Sequence, residues 1–305
     1  MRSVYLAIAC CTLLAAQTTR TYLYDGLGDR VRGPVTEVRG DSRTEVVESL
    51  NGRSVPVEQV EERVLSTDGS TKTVERIIRR YDPAGAPAGT ERIVDRITQR
   101  PDGSTSVESS LYRRDISGNL TLAERASTQV RRSGATESAS TVVERPGIDG
   151  SFQVAERREA VKEQSATRDT RNSVVLRRDE NGRFMEAEKE NVETSKNGEQ
   201  TVSNAARYQL GSSGRLELAT QTVTTAVKRQ DGSQSIIEDV YARQSTGLAN
   251  DNATPRLKEQ RVIERAVTAG GITETVALRQ PSPGDPGRLG PPRKVAETVC
   301  KGKCQ

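Results

Sequence analysis

The stretch that decides the fold is Asp102-Gly103-Ser104-Thr105-Ser106-Val107-Glu108-Ser109-Ser110-Leu111-Tyr112-Arg113-Arg114-Asp115-Ile116-Ser117-Gly118-Asn119-Leu120-Thr121-Leu122. It opens and closes on a backbone reversal. Asp-Gly suits the positive φ angles of a type I′ hairpin turn. Leu120 and Leu122 fall two and four residues after Gly118, the period-2 signature of a strand leaving a turn. Gly150 leads in the same way to Phe152 and Val154, and Gly214 to Leu216 and Leu218. Gly182 starts the pattern with Phe184, and Glu186 breaks it. Asp68-Gly69-Ser70 and Asp231-Gly232-Ser233 copy the opening triplet; Ile236, Val240 and Tyr241 stand where Val107, Leu111 and Tyr112 stand after Gly103.

These reversals keep time along the chain. Gly52, Gly85, Gly118, Gly150, Gly182, Gly214 and Gly247 are spaced by 32 or 33 residues. A second series interleaves with them at Gly69, Gly103, Gly134, Gly198 and Gly232, and one beat near Ala166 has no glycine. The unit is turn, strand, turn, strand, in about 32 residues. Strands of about 10–12 residues would be roughly 35–40 Å long. The expected fold class is all-β: a repetitive antiparallel meander of long strands, forming an open twisted sheet. Val74, Ile77, Ile78 and Tyr81 also match a helical face. The frequent Val, Thr and Ile and the turns every half-unit favour strands. A transmembrane barrel would need an outward apolar band and aromatic girdles, and the sequence shows neither.

Composition narrows the rest. In 305 residues aromatics are 3%, Trp is absent, charged residues reach 29% and mean hydropathy is −0.66, too polar for a thick core. Histidine is absent, which removes the commonest general base and metal ligand. Acidic residues are spread everywhere and mark no catalytic pair. No catalytic, cofactor or metal site is assigned, and the chain reads as non-enzymatic. A net charge of +4 with both signs interspersed gives a weak field, so nucleic acid is not an expected partner.

The ends read differently from the middle. Residues 1–17 have a charged start and a short apolar run, as in a secretory signal peptide. Cys10, after Ala7-Ile8-Ala9, is the alternative lipid acceptor. Residues 18–35 form a lead-in, 36–279 the β-repeat domain, and 280–305 a Pro/Gly-rich tail ending in Cys300 and Cys304, a candidate disulfide. No later run approaches the ~20 apolar residues of a membrane helix, so no membrane span is expected in the mature chain. The location is then secreted, periplasmic or cell-surface.

Tyr22-Leu23-Tyr24-Asp25-Gly26-Leu27-Gly28 and Tyr81-Asp82-Pro83-Ala84-Gly85 resemble YD-repeat proteins, whose units form long β-hairpins in large shells. Most units here lack the Tyr-Asp pair, so no function is carried over. Repetition would also stack charges in rows. Arg113, Arg114, Arg177 and Arg178 precede turns and are candidate polyanion-binding residues. The expected function is an exported scaffold capable of self-association, with binding of a cell-envelope polymer or acidic polysaccharide as the alternative.

Overall fold

The computed structural model describes residues 17–25, 28–31, 33–50, 52–179, 181–211, 213–243, 255–268, 271–282 and 284–301. The strands are β1 (Gln17–Leu23), β2 (Val35–Arg39), β3 (Arg43–Leu50), β4 (Arg53–Asp68), β5 (Thr71–Tyr81), β6 (Pro87–Gln99), β7 (Thr105–Arg114), β8 (Leu120–Ser133), β9 (Thr136–Pro146) and β10 (Phe152–Gln164). They continue as β11 (Arg168–Arg178), β12 (Phe184–Asn197), β13 (Gln200–Leu210), β14 (Leu216–Lys228), β15 (Gln234–Ala242), β16 (Arg256–Thr268), β17 (Gly271–Arg279), β18 (Pro281–Ser282), β19 (Asp285–Leu289) and β20 (Arg293–Lys301). The meander is antiparallel and all-β. Each strand from β1 to β17 pairs with the next, and β18 and β19 form a small separate hairpin.

The sheet is not open. β17 pairs with β20, and β20 pairs with β1 from Lys301 opposite Thr18 to Ala296 opposite Leu23. The result is a closed ring of 18 strands. An open sheet would leave two rows of unpaired backbone donors and acceptors, and closure satisfies them. Both strands of the seam come from outside the glycine-timed region, in the stretches that read as lead-in and tail. At about 4.8 Å per strand and the usual tilt, 18 strands give a ring on the order of 35 Å across between backbones. The accessible surface of 20163 Å² fits a hollow wall wetted on both sides. A compact protein of this mass would expose about 12,600 Å².

The two glycine series are the two ends of the barrel. Gly52, Gly85, Gly118, Gly150, Gly182 and Gly214 turn the chain at the first rim; Gly69, Gly103, Gly134, Gly198 and Gly232 turn it at the second. At Gly118 the turn runs from Asp115 to Asn119. Gly118 N–H donates to the Asp115 carbonyl at 3.0 Å, and Gly118 takes φ +83°, a conformation side-chain-bearing residues avoid. Asp102-Gly103 and Asp231-Gly232 were expected in two-residue type I′ turns. They lie instead in three-residue loops, with Arg100 N–H donating to Ser104 O and Arg229 N–H to Ser233 O.

Strands leaving the first rim carry a recurring bulge. The register slips at Ala123 on β8, Ala155 on β10, Ala187 on β12 and Ala219 on β14. Each extra residue reverses which wall the following side chains occupy. The glutamate after Ala123, Ala155 or Ala187 therefore joins one wall, and the basic residue after it joins the other.

Cys300 on β20 is 8% exposed and disulfide-bonded. Cys304, Cys10, Gly247 and residues 1–16 of the expected leader lie outside the described residues, and Gln17, the last residue of that leader, opens β1.

Candidate functional site

A closed barrel has one concave and one convex wall, and the register assigns every strand residue to one of them. Val74, Val107, Val143, Asp95 and Glu156, all under a tenth exposed, share a wall with Cys300. Gln59 and Glu75 are the strand residues buried to that degree on the other. Side chains on the concave wall converge and crowd one another, so the wall bearing Val143 and Glu156 faces the lumen.

The lumen wall carries a belt of alternating charge. Successive strands from β4 to β13 present Glu58, Arg80, Glu91, Arg113, Glu124, Arg145, Glu156, Arg177, Glu188 and Arg207. Arg80 bridges Glu58 at 3.2 Å and Glu91 at 3.1 Å, and Glu91 holds Arg113 at 3.0 Å. Arg145 meets Glu124 at 2.9 Å. Glu156, 3% exposed, holds Arg177 at 3.1 Å and also Arg158. Glu188 holds Arg177 at 2.7 Å and Arg207 at 2.8 Å. Every strand in this run places its charge opposite the sign of its neighbours. The wall is therefore polar and largely self-neutralised.

The outer wall is organised differently. Every aromatic residue among the described ones lies on it, close to the first rim. Tyr81, Tyr112, Tyr208 and Tyr241 sit on strands running into that rim, Phe152 and Phe184 on strands leaving it, and Tyr22 and Tyr24 beside the seam. Leu120 and Leu122 pair with Arg114 and Tyr112, and Leu216 and Leu218 with Leu210 and Tyr208, filling the gaps. Ile116 and Ile148 stand fully exposed at the turn tips of the same rim. The expectation that aromatic girdles are missing is corrected at this rim, where few rings suffice once the register gathers them at one level; among the described residues the second rim carries none.

Just beyond this collar the bulges turn basic residues outward. Arg92 stacks over the Tyr112 ring at 5.2 Å, Arg125 over Phe152 at 4.4 Å and Arg157 over Phe184 at 4.6 Å. Farther from the rim the outer wall carries paired charges. Glu75 is held by Arg63 and, at 2.7 Å, by Arg92; Arg79 meets Glu61 at 3.0 Å.

Turn aspartates lock the loop ends. The Ser104 hydroxyl donates to Asp102 Oδ1 at 2.6 Å and its N–H to the same oxygen at 2.9 Å. These bonds hold the Asp102 carboxyl below its ordinary pKa, the hydroxyl contributing most. Asp149 with Ser151 and Asp231 with Ser233 repeat the arrangement and the direction.

The candidate polyanion-binding arginines do not form a strip. Arg113 and Arg177 face the lumen, in the belt. Arg114 and Arg178 face outward and donate to the turn carbonyls of Gly118 at 2.8 Å and Gly182 at 3.1 Å. Consecutive residues on a strand point to opposite sides, so an Arg-Arg pair cannot line one wall. Among the described residues no cluster of three or more Cys, Asp or Glu is placed to hold a metal.

A closed, wide, antiparallel barrel with a polar lumen and an aromatic outer collar has the architecture of a porin-like barrel. No family model matches the chain, and no curated protein matches it either. Among solved structures, a triply substituted Rhodopseudomonas blastica porin superposes with a TM-score of 0.53 at 9% identity, over 93% of this chain and 98% of that one. A second substituted form of that porin gives 0.53 at 9% identity, over 93% and 97%. At this identity the likeness is one of fold.

That fold corrects two expectations. A scaffold built by lateral association needs free sheet edges, and the closed ring of 18 strands has none. The barrel likewise displaces the polysaccharide-binding alternative, whose four arginines are divided between the two walls. The expected absence of a membrane span holds for helices alone, because the lack of a long apolar run excludes only a membrane helix. No described helix is long and apolar enough to cross a membrane, but a barrel crosses with strands, each satisfying its backbone on its neighbours.

Proposed function

We propose that this chain is a non-enzymatic channel of a cell-envelope membrane, crossing it with the strands of its barrel. The observation that carries this reading is the seam between β1 and β20, which encloses a lumen walled by paired charges. Water wets such a wall, and small polar solutes and ions would pass along it. Because most belt charges neutralise each other, the channel would discriminate weakly by ionic sign. The aromatic and leucine collar supports a seat at the lipid boundary, where rings with one apolar and one polar side are favoured. An unpaired Arg near the bilayer midplane would cost about 2–4 kcal/mol. Pairing of Glu75 with Arg63 and Arg92, and of Glu61 with Arg79, offsets part of that cost on the outer wall.

The test is conductance. The folded protein, added to a planar lipid bilayer, is expected to give discrete steps with little selectivity between potassium and chloride. Glu156→Lys, which leaves the lumen with excess positive charge, is expected to shift the reversal potential toward that of chloride. Folded protein that partitions into the bilayer without conducting would overturn the reading.

A further inference from the structure

We propose that the outward arginines Arg125 and Arg157 form a binding row for the phosphate of anionic lipid headgroups at the first rim. The inference rests on the membrane-channel reading and deepens it by naming the lipid class. Both side chains are exposed, and among the described residues neither has a carboxylate within ion-pair distance. Arg92, in the same row, does have one, in Glu75 at 2.7 Å. Arg125 and Arg157 instead lie over Phe152 and Phe184 at 4.4 and 4.6 Å. Those rings are two residues past the turn glycines Gly150 and Gly182, whereas the arginines are seven past Gly118 and Gly150. Each guanidinium is therefore brought back toward the rim, to the level of the aromatic collar.

Stacking uses one face of a guanidinium and leaves its edge N–H donors available. Those donors match two phosphate oxygens in a fork geometry. The rings and Leu122 supply the apolar ground on which a lipid's upper chain would rest. The bulges at Ala123 and Ala155 make this arrangement, since without them both arginines would point into the lumen. A zwitterionic headgroup carries its own cation and would meet these arginines less favourably than a phosphatidylglycerol headgroup would.

The probe is native mass spectrometry of the full chain in detergent, titrated with phosphatidylglycerol or with phosphatidylcholine. Wild type is expected to retain phosphatidylglycerol preferentially. One basic residue at an anionic surface contributes about 1 kcal/mol, or about fivefold, so Arg125→Gln with Arg157→Gln should lower the preference by about 25-fold. Arg132→Gln, on the lumen wall beside Glu137, should leave it unchanged. Equal retention of the two lipids by wild type, or an unchanged preference in the double variant, would overturn the proposal. So would displacement of phosphatidylglycerol by millimolar inorganic phosphate, which would make this a site for the free anion. Conductance is read separately on the same samples. A non-conducting barrel that keeps the preference would remove the channel reading and leave the lipid row standing.

Discussion

Thr21 on β1 and Thr298 on β20 share a hydroxyl–hydroxyl hydrogen bond of 3.1 Å across 277 residues of sequence. Beside it, Gln17 donates from Nε2 to the Cys300 sulfur at 3.2 Å. These contacts lie on the seam, where the first and last strands complete the ring. A closed barrel differs from an open sheet only here, so stability and function both depend on how well this seam fits.

Gly271 makes the fit on the other side of β20. Its φ is +138°, and a Cβ there would stand 2.0 Å from the Cys300 carbonyl oxygen. Gly271→Ala would force β17 and β20 apart. We predict a loss of about 3 kcal/mol or more, read as a lower urea midpoint, together with the appearance of oligomers through exposed edges. Gly89→Ala is the control: nothing lies within 4 Å of the added carbon, and the change should be neutral or stabilise by roughly 0.5 kcal/mol. Equal midpoints for the two variants would refute the close approach of β17 to β20.

Glu156 is the most enclosed acid of the lumen belt, and Arg177 and Arg158 both depend on it. Glu156→Gln keeps the shape and removes the charge, leaving those guanidiniums facing each other. Both remain nearly half exposed, so solvent moderates the penalty, and we predict a loss of about 1–2 kcal/mol. Glu124→Gln, in a more exposed pair with Arg145, should cost roughly 0.5 kcal/mol or less. Chemical denaturation of the two variants side by side checks the ranking. A larger loss for Glu124→Gln would contradict the burial argument.

The loop ends should respond to acid. The Asp102 and Asp231 carboxylates are held below their unfolded pKa by bonds from Ser104 and Ser233. A lowered folded pKa gives stability that is present above the unfolded value, near 3.9, and is lost as pH falls through the folded one. Hydrogen exchange at Ser104 and Thr105 is therefore expected to stay slow down to about pH 4, relative to the intrinsic rate, and to speed up below it. Asp102→Asn should raise exchange at neutral pH and flatten this dependence. An acid response unchanged by the substitution would assign it to another group.

The turns were legible because their chemistry is local. Gly118 or Gly103 must take positive φ wherever the chain reverses, and the two interleaved series mark the two rims directly. Closure was not legible. Nothing near Thr21 announces a partner at Thr298, and local alternation is the same in an open sheet and a ring. The collar was hidden for a related reason. Tyr112, Phe152 and Phe184 are far apart in sequence, and a scarcity of rings says nothing about their level on the wall. One signal for the bulges did exist. Ala123, Ala155 and Ala187 each stand five residues after a turn glycine, each followed by Glu and then a basic residue. The break of alternation at Glu186 is a different event: Glu186 keeps the outward position that Leu122 and Val154 hold on their strands, and the bulge comes one residue later.

Ala155 gives the sharpest test of that register. With it in place, Val154 and Arg157 face outward while Glu156 faces the lumen. Deleting Ala155 restores simple alternation. Val154, outward and opposite Glu144, then runs directly into Glu156, lumenal and opposite Val143, so Glu156 stays against Arg177 and Arg157 stays over Phe184. The deletion removes only the local bend of the bulge, and we predict a loss of no more than about 1 kcal/mol in the unfolding free energy. Deleting Glu159, from the regular part of β10, instead turns every side chain from Ala160 to Gln164 to the other wall and should cost about 3 kcal/mol or more. A urea midpoint lowered more by the Ala155 deletion than by the Glu159 deletion would contradict the register.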